Sequence, residues 1–129
     1  MNFHKDGTLP HNGEMFVFGS NLSGIHGAGA AKVAKQKFGA ELGLGFGLAG
    51  TSYAIPTKDE KINILPLSVI KIFVQEFVKA TQEYKQIRWF VTRVGCGLAG
   101  YHDDQIAPMF KGAINCSFAK EWQLYLEAH

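Results

Sequence analysis

The sequence predicts an α/β sandwich, and three observations carry that prediction. Short apolar runs alternate with longer runs whose apolar residues recur at helical spacing. Two of the apolar runs pass directly into glycine-rich loops, one from Gly19 to Gly29 and one from Gly95 to Gly100. In architectures that alternate strands with helices, ligands are held at the carboxyl ends of strands, which is where such loops fall. A chain of 129 residues, 47% hydrophobic and 12% aromatic, suffices for a sizeable core, and one domain over residues 1–129 is expected.

Residues 1–13 are polar and carry turn signals at Asp6-Gly7 and Asn12-Gly13, so they form an extension or an edge strand. Glu14 to Phe18 is the first strand, short, apolar and bounded by Gly13 and Gly19. A helix follows from Ala30 to Phe38, with Ala30, Val33, Ala34 and Phe38 near one face and the lysines mostly outside it. Gly39 stops it. The glycines of Leu42–Gly50 argue against a regular element there. Ser52–Thr57 is the second strand, Pro56 marking its end or an edge position. After the charged loop Lys58–Asn63, a long helix runs from Ser68 to about Glu83, with Pro66 near its start and a stripe of Ile70, Val74, Phe77, Val78 and Thr81. Ile87–Val94, continuously apolar in Trp89-Phe90-Val91, is a third and central strand. His102-Asp103-Asp104 offers a cap for a helix from Gln105 to about Cys116, and Ser117–Leu126 closes the chain as a final strand.

Composition excludes several function classes. The net charge of +2 is too small, and its basic residues too scattered, for nucleic acid or an acidic membrane surface. Cys96 and Cys116 fit no metal or redox spacing, which suits a reduced, intracellular protein, and the five histidines show no ligand spacing either. Neither a metal nor another cofactor is expected. Met1–Pro10 has no apolar signal core and no run approaches the ~20 residues of a spanning helix, so a soluble, cytoplasmic protein is expected.

Glycine allows backbone to approach a ligand closely, and a helix N-terminus presents unpaired N–H groups to an anion. The run from Phe16 to Phe38 is therefore a plausible cradle for a phosphate or pyrophosphate, although a tight crossover without ligand fits the same residues. Gly27-Ala-Gly-Ala-Ala-Lys-Val-Ala-Lys-Gln-Lys-Phe-Gly39 resembles the first loop and helix of macrodomains, in the branch containing the terminal ADP-ribose-protein glycohydrolase. Thr92-Arg-Val-Gly-Cys-Gly-Leu-Ala-Gly-Tyr101 resembles that branch's second phosphate loop, and Ser52-Tyr-Ala-Ile-Pro-Thr-Lys58 its intervening strand. The three come in family order and cover roughly Phe16 to Phe110.

The resemblance implies a three-layer α/β/α sandwich with a mixed sheet that binds ADP-ribose or a related NAD-derived nucleotide. The pyrophosphate would lie between loop one (His26, Gly27, Ala28, Gly29, Ala30) and loop two (Gly95, Cys96, Gly97, Leu98, Ala99, Gly100, Tyr101), with Asn21 near the distal ribose. An ADP-ribosylated protein is a further implied partner. In the glycohydrolase branch a lysine after the second strand attacks the anomeric carbon, and Lys58 falls at that position. The branch's acidic residue would follow Cys96-Gly97-Leu98, but Ala99 stands there.

Asp103 and Asp104 are the nearest carboxylates to take the acid's place, and both also suit helix capping. Lys58 would need its ammonium deprotonated to attack, and a solvated loop lysine fits the position equally. His26, His102 and Arg93 are candidates to meet a phosphate or ribose, each with a structural alternative. Cys96 invites a nucleophile reading, but no histidine is fixed beside it by motif. Four functions remain: a nucleotide reader, a hydrolase acting on ADP-ribosyl or ADP-ribose-phosphate bonds, a structural module whose glycines merely make turns, and a glycine loop that binds some other phosphate ligand such as a different nucleotide.

Overall fold

The computed structural model describes residues 1–11 and 13–127. Among them are six strands, β1 (Asn2–His4), β2 (Glu14–Asn21), β3 (Gly47–Ala49), β4 (Ser52–Lys58), β5 (Arg88–Val91) and β6 (Cys116–Ala119). They form one mixed sheet in the order β1-β6-β5-β2-β4-β3, parallel throughout except for β3, which runs antiparallel to β4. The helices are α1 (Gly29–Lys37), α2 (Leu67–Glu83), α3 (Asp103–Ile106) and α4 (Gln123–Leu126). The protein is thus an α/β sandwich with a mixed sheet.

Side chains alternate across a strand, and the two cores follow from that alternation. Val17, Tyr53, Ile55, Trp89 and Val91 face the larger core with Ile70, Val74 and Phe77 of α2, Ile106 of α3 and Leu126 of α4. Their neighbours Phe16, Phe18, Ala54 and Phe90 face the other way, against Ala31 and Ala34 of α1. The small α1 residues let the helix lie close to the sheet. On the larger face, Tyr53, Phe77, Trp89, Phe110 and Phe118 meet edge to face at centroid distances of 5.1 to 5.8 Å. Each fully buried aromatic of this kind contributes roughly 1.5–3 kcal/mol by burial alone.

Four expectations need correction. The helix read over Gln105–Cys116 is α3 followed by a 3₁₀ turn at Ala107–Phe110, and Gly112 at φ 95° ends it. The final strand spans only Cys116–Ala119; a 3₁₀ turn and α4 follow, carrying Trp122 and Leu126 into the core. The glycine-rich 42–50 stretch does contain a strand, β3, on the sheet edge. Pro56 lies within β4, paired with Ser20, but β3 reaches only as far as Ala54, so no β3 ladder is broken by the missing N–H. The N-terminal residues supply the other edge strand, β1, in parallel register with β6. The turn expected at Asn12-Gly13 lies partly outside the described residues.

Candidate functional site

The parallel strands β2, β4 and β5 end at a cleft of about 630 Å³. Its floor is Gly19–Asn21 and Thr57–Lys58, side by side because Asn21 is in register with Lys58 after a bulge at Thr57 of β4. One wall is Gly27–Ala31 at the start of α1, and the other is the loop Arg93–Ala99 that follows β5. A third side is built by the N-terminal segment His4 and Asp6–Leu9.

Loop one owes its shape to contacts beneath it. The Asn21 side chain donates to the Ile25 carbonyl at 2.7 Å and accepts from the Ile25 N–H at 3.0 Å and the Ser23 hydroxyl at 2.7 Å. The Ser20 hydroxyl donates to the Gly45 carbonyl. A Cβ on Gly45 would overlap the Asn21 carbonyl, and one on Gly24 would overlap the backbone of Gly43 and Leu44. Loop one is thereby seated on the Glu41–Phe46 segment. The next helix begins without a side-chain cap or an acidic first turn: Ala28 is its cap residue, and the Lys32 N–H is the first to bond back, to Ala28. The N–H groups of Gly29, Ala30 and Ala31 therefore precede the helical ladder at the positive end of its dipole.

Loop two turns on Gly95 and Gly100, at φ 76° and 82°, a region glycine enters without Cβ strain. Tyr101 N–H bonds Gly95 and Gly100 N–H bonds Gly97, whereas among the described residues no backbone acceptor meets the N–H groups of Gly97, Leu98 and Ala99. The loops approach through Leu98, whose Cδ1 lies 3.4 Å from where a Cβ on Gly29 would stand.

Lys58, Asn21, Gly27, Ala28, Gly29, Ala30, Gly95, Cys96, Gly97, Leu98 and Ala99 all line the cleft; His26, Gly100, Tyr101, Asp103 and Asp104 do not. The His26 ring is buried, with Nε2 3.0 Å from the Glu41 carbonyl and an edge toward Phe18. Tyr101 donates its hydroxyl to the Leu65 carbonyl at 2.6 Å. Asp103 opens α3, but its carboxylate is not a cap: it accepts from Arg93 Nε at 3.0 Å and Nη2 at 2.7 Å, and from the Trp122 indole at 2.7 Å. Asp104 is exposed. His102 precedes α3, its N–H bonded to the Gln105 side chain at 3.0 Å.

Charges around the cleft are mostly committed. Arg93 also meets Asp6 at 3.2 Å and Glu121 at 3.8 Å, so it ties the N-terminal wall to loop two and to the turn before α4. Its hydrogen bonds with Asp103 raise the guanidinium's pKa above its ordinary range. Burial alone would raise the Asp103 carboxyl, but the bonds from Arg93 and Trp122 outweigh it and hold the group low. Burial, and then the Asp103 charge, push the Cys96 thiol up to about 12. Asp59 turns away from its neighbour: its carboxylate accepts from the Asn63 and Lys61 N–H groups at 2.9 and 2.8 Å, which lowers its pKa. Among the described residues Lys58 has no acidic ion-pair partner, and no group of three or more His, Cys, Asp or Glu is placed to hold a metal ion.

The sequence reading missed Leu9, Phe16, Val33 and Phe90, which make one end of the cleft apolar, and Ile62 near Lys58. Phe16 and Phe90 were legible as strand residues, but nothing in a polar N-terminus signalled that His4 stacks on Phe90 at 3.8 Å. Among the described residues no helix is long and apolar enough to cross a membrane. Comparison with protein-family models, curated proteins and solved structures finds no match.

Proposed function

We propose that this protein binds ADP-ribose, or a related NAD-derived nucleotide, in the cleft at the ends of β2, β4 and β5. The observation that carries the reading is the pairing of two banks of backbone N–H groups, Gly29–Ala31 and Gly97–Ala99, that meet no acceptor among the described residues and lie on opposite walls of one cleft. Such donors suit a pyrophosphate, whose charge spreads over several oxygens. The apolar end at Leu9, Phe16, Val33 and Phe90 suits a planar base, and the end at Asn21 and Lys58 suits a polar sugar. These features agree with the macrodomain resemblance of the two loops, and an ADP-ribosylated protein is the macromolecular partner it implies. A cytoplasmic location belongs to the same reading.

Calorimetric titration with ADP-ribose tests it, with Gly27→Glu as the control. A Cβ at Gly27 would meet nothing within 4 Å and the backbone is not left-handed there, so the variant adds bulk and negative charge without strain. Wild type binds, and the variant loses at least tenfold in affinity. No heat from a folded wild type at millimolar ADP-ribose ends the proposal in favour of a structural module.

Hydrolysis of an ADP-ribosyl or ADP-ribose-phosphate bond is the second reading, favoured by one observation: Lys58 lines the cleft beside Asn21 with no acidic partner among the described residues. Against the two-residue mechanism stand Ala99 at the acid's position and Asp103 already bonded to Arg93. Lys58→Ala separates the readings. A reader keeps ADP-ribose affinity within a few fold and releases no sugar from modified acidic side chains with either protein. A hydrolase shows turnover in wild type that Lys58→Ala abolishes.

A further inference from the structure

Ile62 is one of two non-glycine residues with positive φ among the described residues, at 66°; the other is Asn115. Asparagine tolerates that region, whereas a β-branched side chain is strained in it. The turn around Ile62 is overdetermined. Asp59 N–H donates to the Asn63 carbonyl at 2.8 Å, Ile62 N–H donates to the Asp59 carbonyl at 3.1 Å, and the Asp59 carboxylate holds the Lys61 and Asn63 N–H groups. Glycine would satisfy that backbone without strain, and the side chain gains little from the core because it is 43% exposed. What the side chain does instead is line the cleft, at the end where Lys58 and Asn21 sit.

We infer that Ile62 is a specificity residue, retained against backbone strain because it packs on the apolar C–H face of the ligand's distal sugar. The inference rests on the proposed nucleotide reading and adds the discrimination between a nucleotide carrying that sugar and one lacking it. Ile25 and Leu98, also exposed and also lining the cleft, would make the same contact from the other side. Strain held where a ligand is met is a recurrent arrangement, because the surrounding bonds fix a geometry that the residue would not choose.

The test compares ADP-ribose with ADP on wild type and Ile62→Gly, with thermal unfolding of both proteins. Glycine relieves the backbone, so the melting temperature does not fall and rises by roughly 2–5 °C. ADP-ribose binding weakens about five- to tenfold while ADP binding stays within twofold, since only the sugar loses its apolar partner. Equal weakening of both ligands, no weakening of either, or a lowered melting temperature overturns the inference. Failure of wild type to bind ADP-ribose overturns the nucleotide reading and this inference together, whereas wild-type binding with an unaffected Ile62→Gly overturns this inference alone.

Discussion

Cys96 lines the cleft from a glycine loop, a setting in which cysteines are often nucleophiles, yet the reactive species is the thiolate. With the thiol pushed up to about 12, iodoacetamide at pH 8 labels Cys96 on the order of a hundredfold more slowly than a free cysteine, as timed mass spectrometry of the folded protein will show. Arg93 earns its position through geometry as well as charge. Its fork grips both oxygens of Asp103 while a third nitrogen meets Asp6, and lysine offers one point charge in place of that fork. Arg93→Lys is therefore expected to cost about 1–2 kcal/mol in urea unfolding, and Arg93→Ala about 2–3 kcal/mol because Asp103 loses its cationic partner and keeps the neutral Trp122 indole and Cys96 thiol. The Lys58-Asp59 pair shows the limit of reading neighbours in a line. The two residues are adjacent in sequence, but the Asp59 carboxylate is engaged by its own turn.

Whole elements were legible where periodicity and boundaries agreed. The expected β2, α1, β4 and α2 match the observed ones to within a few residues, because Gly39 and Pro66 punctuate long, regular patterns. Loop two was legible too, since Gly95 and Gly100 both occupy positive φ. The region after Phe110 was misread because Pro108 still permits one turn of 3₁₀ helix and the apolar residues continue past it. The C-terminal helix was not separable from a strand by spacing: Phe118, Trp122 and Leu126 are all buried, and residues four apart share one face of a strand as well as of a helix. The support of loop one by the 41–46 segment had no local signal, since it depends on backbone close approach. Gly45→Ala tests that support. A methyl there would collide with the Asn21 carbonyl, and a loss of roughly 3 kcal/mol or more in chemical denaturation is expected.

The molecule as a whole carries its titration behaviour in a few groups. Burial lowers His4 below 6.5, with Glu14, Asp6 and Glu121 opposing, so its contribution is fully present above pH 6.5 and is lost as pH falls toward the folded value. Asp103 is held low as well, and its contribution is present above about pH 3.8 and lost as pH falls further. On the alkaline side Cys116, Cys96 and Tyr53 are each raised to about 12, so the unfolded chain ionises first and stability declines from about pH 9 upward. Melting temperatures across pH 3–11 should form a plateau between roughly pH 6.5 and 9 with a fall on either side. A last consequence follows from the pairing of β1 with β6. Residues 2–4 are synthesised more than a hundred residues before residues 117–119, the partners they pair with. The third side of the cleft, which continues directly from β1, must therefore wait until residues 117–119 have been synthesised. A nascent chain stalled before Cys116 would already carry both glycine loops, yet it would lack the strand on which the third side of the cleft is anchored.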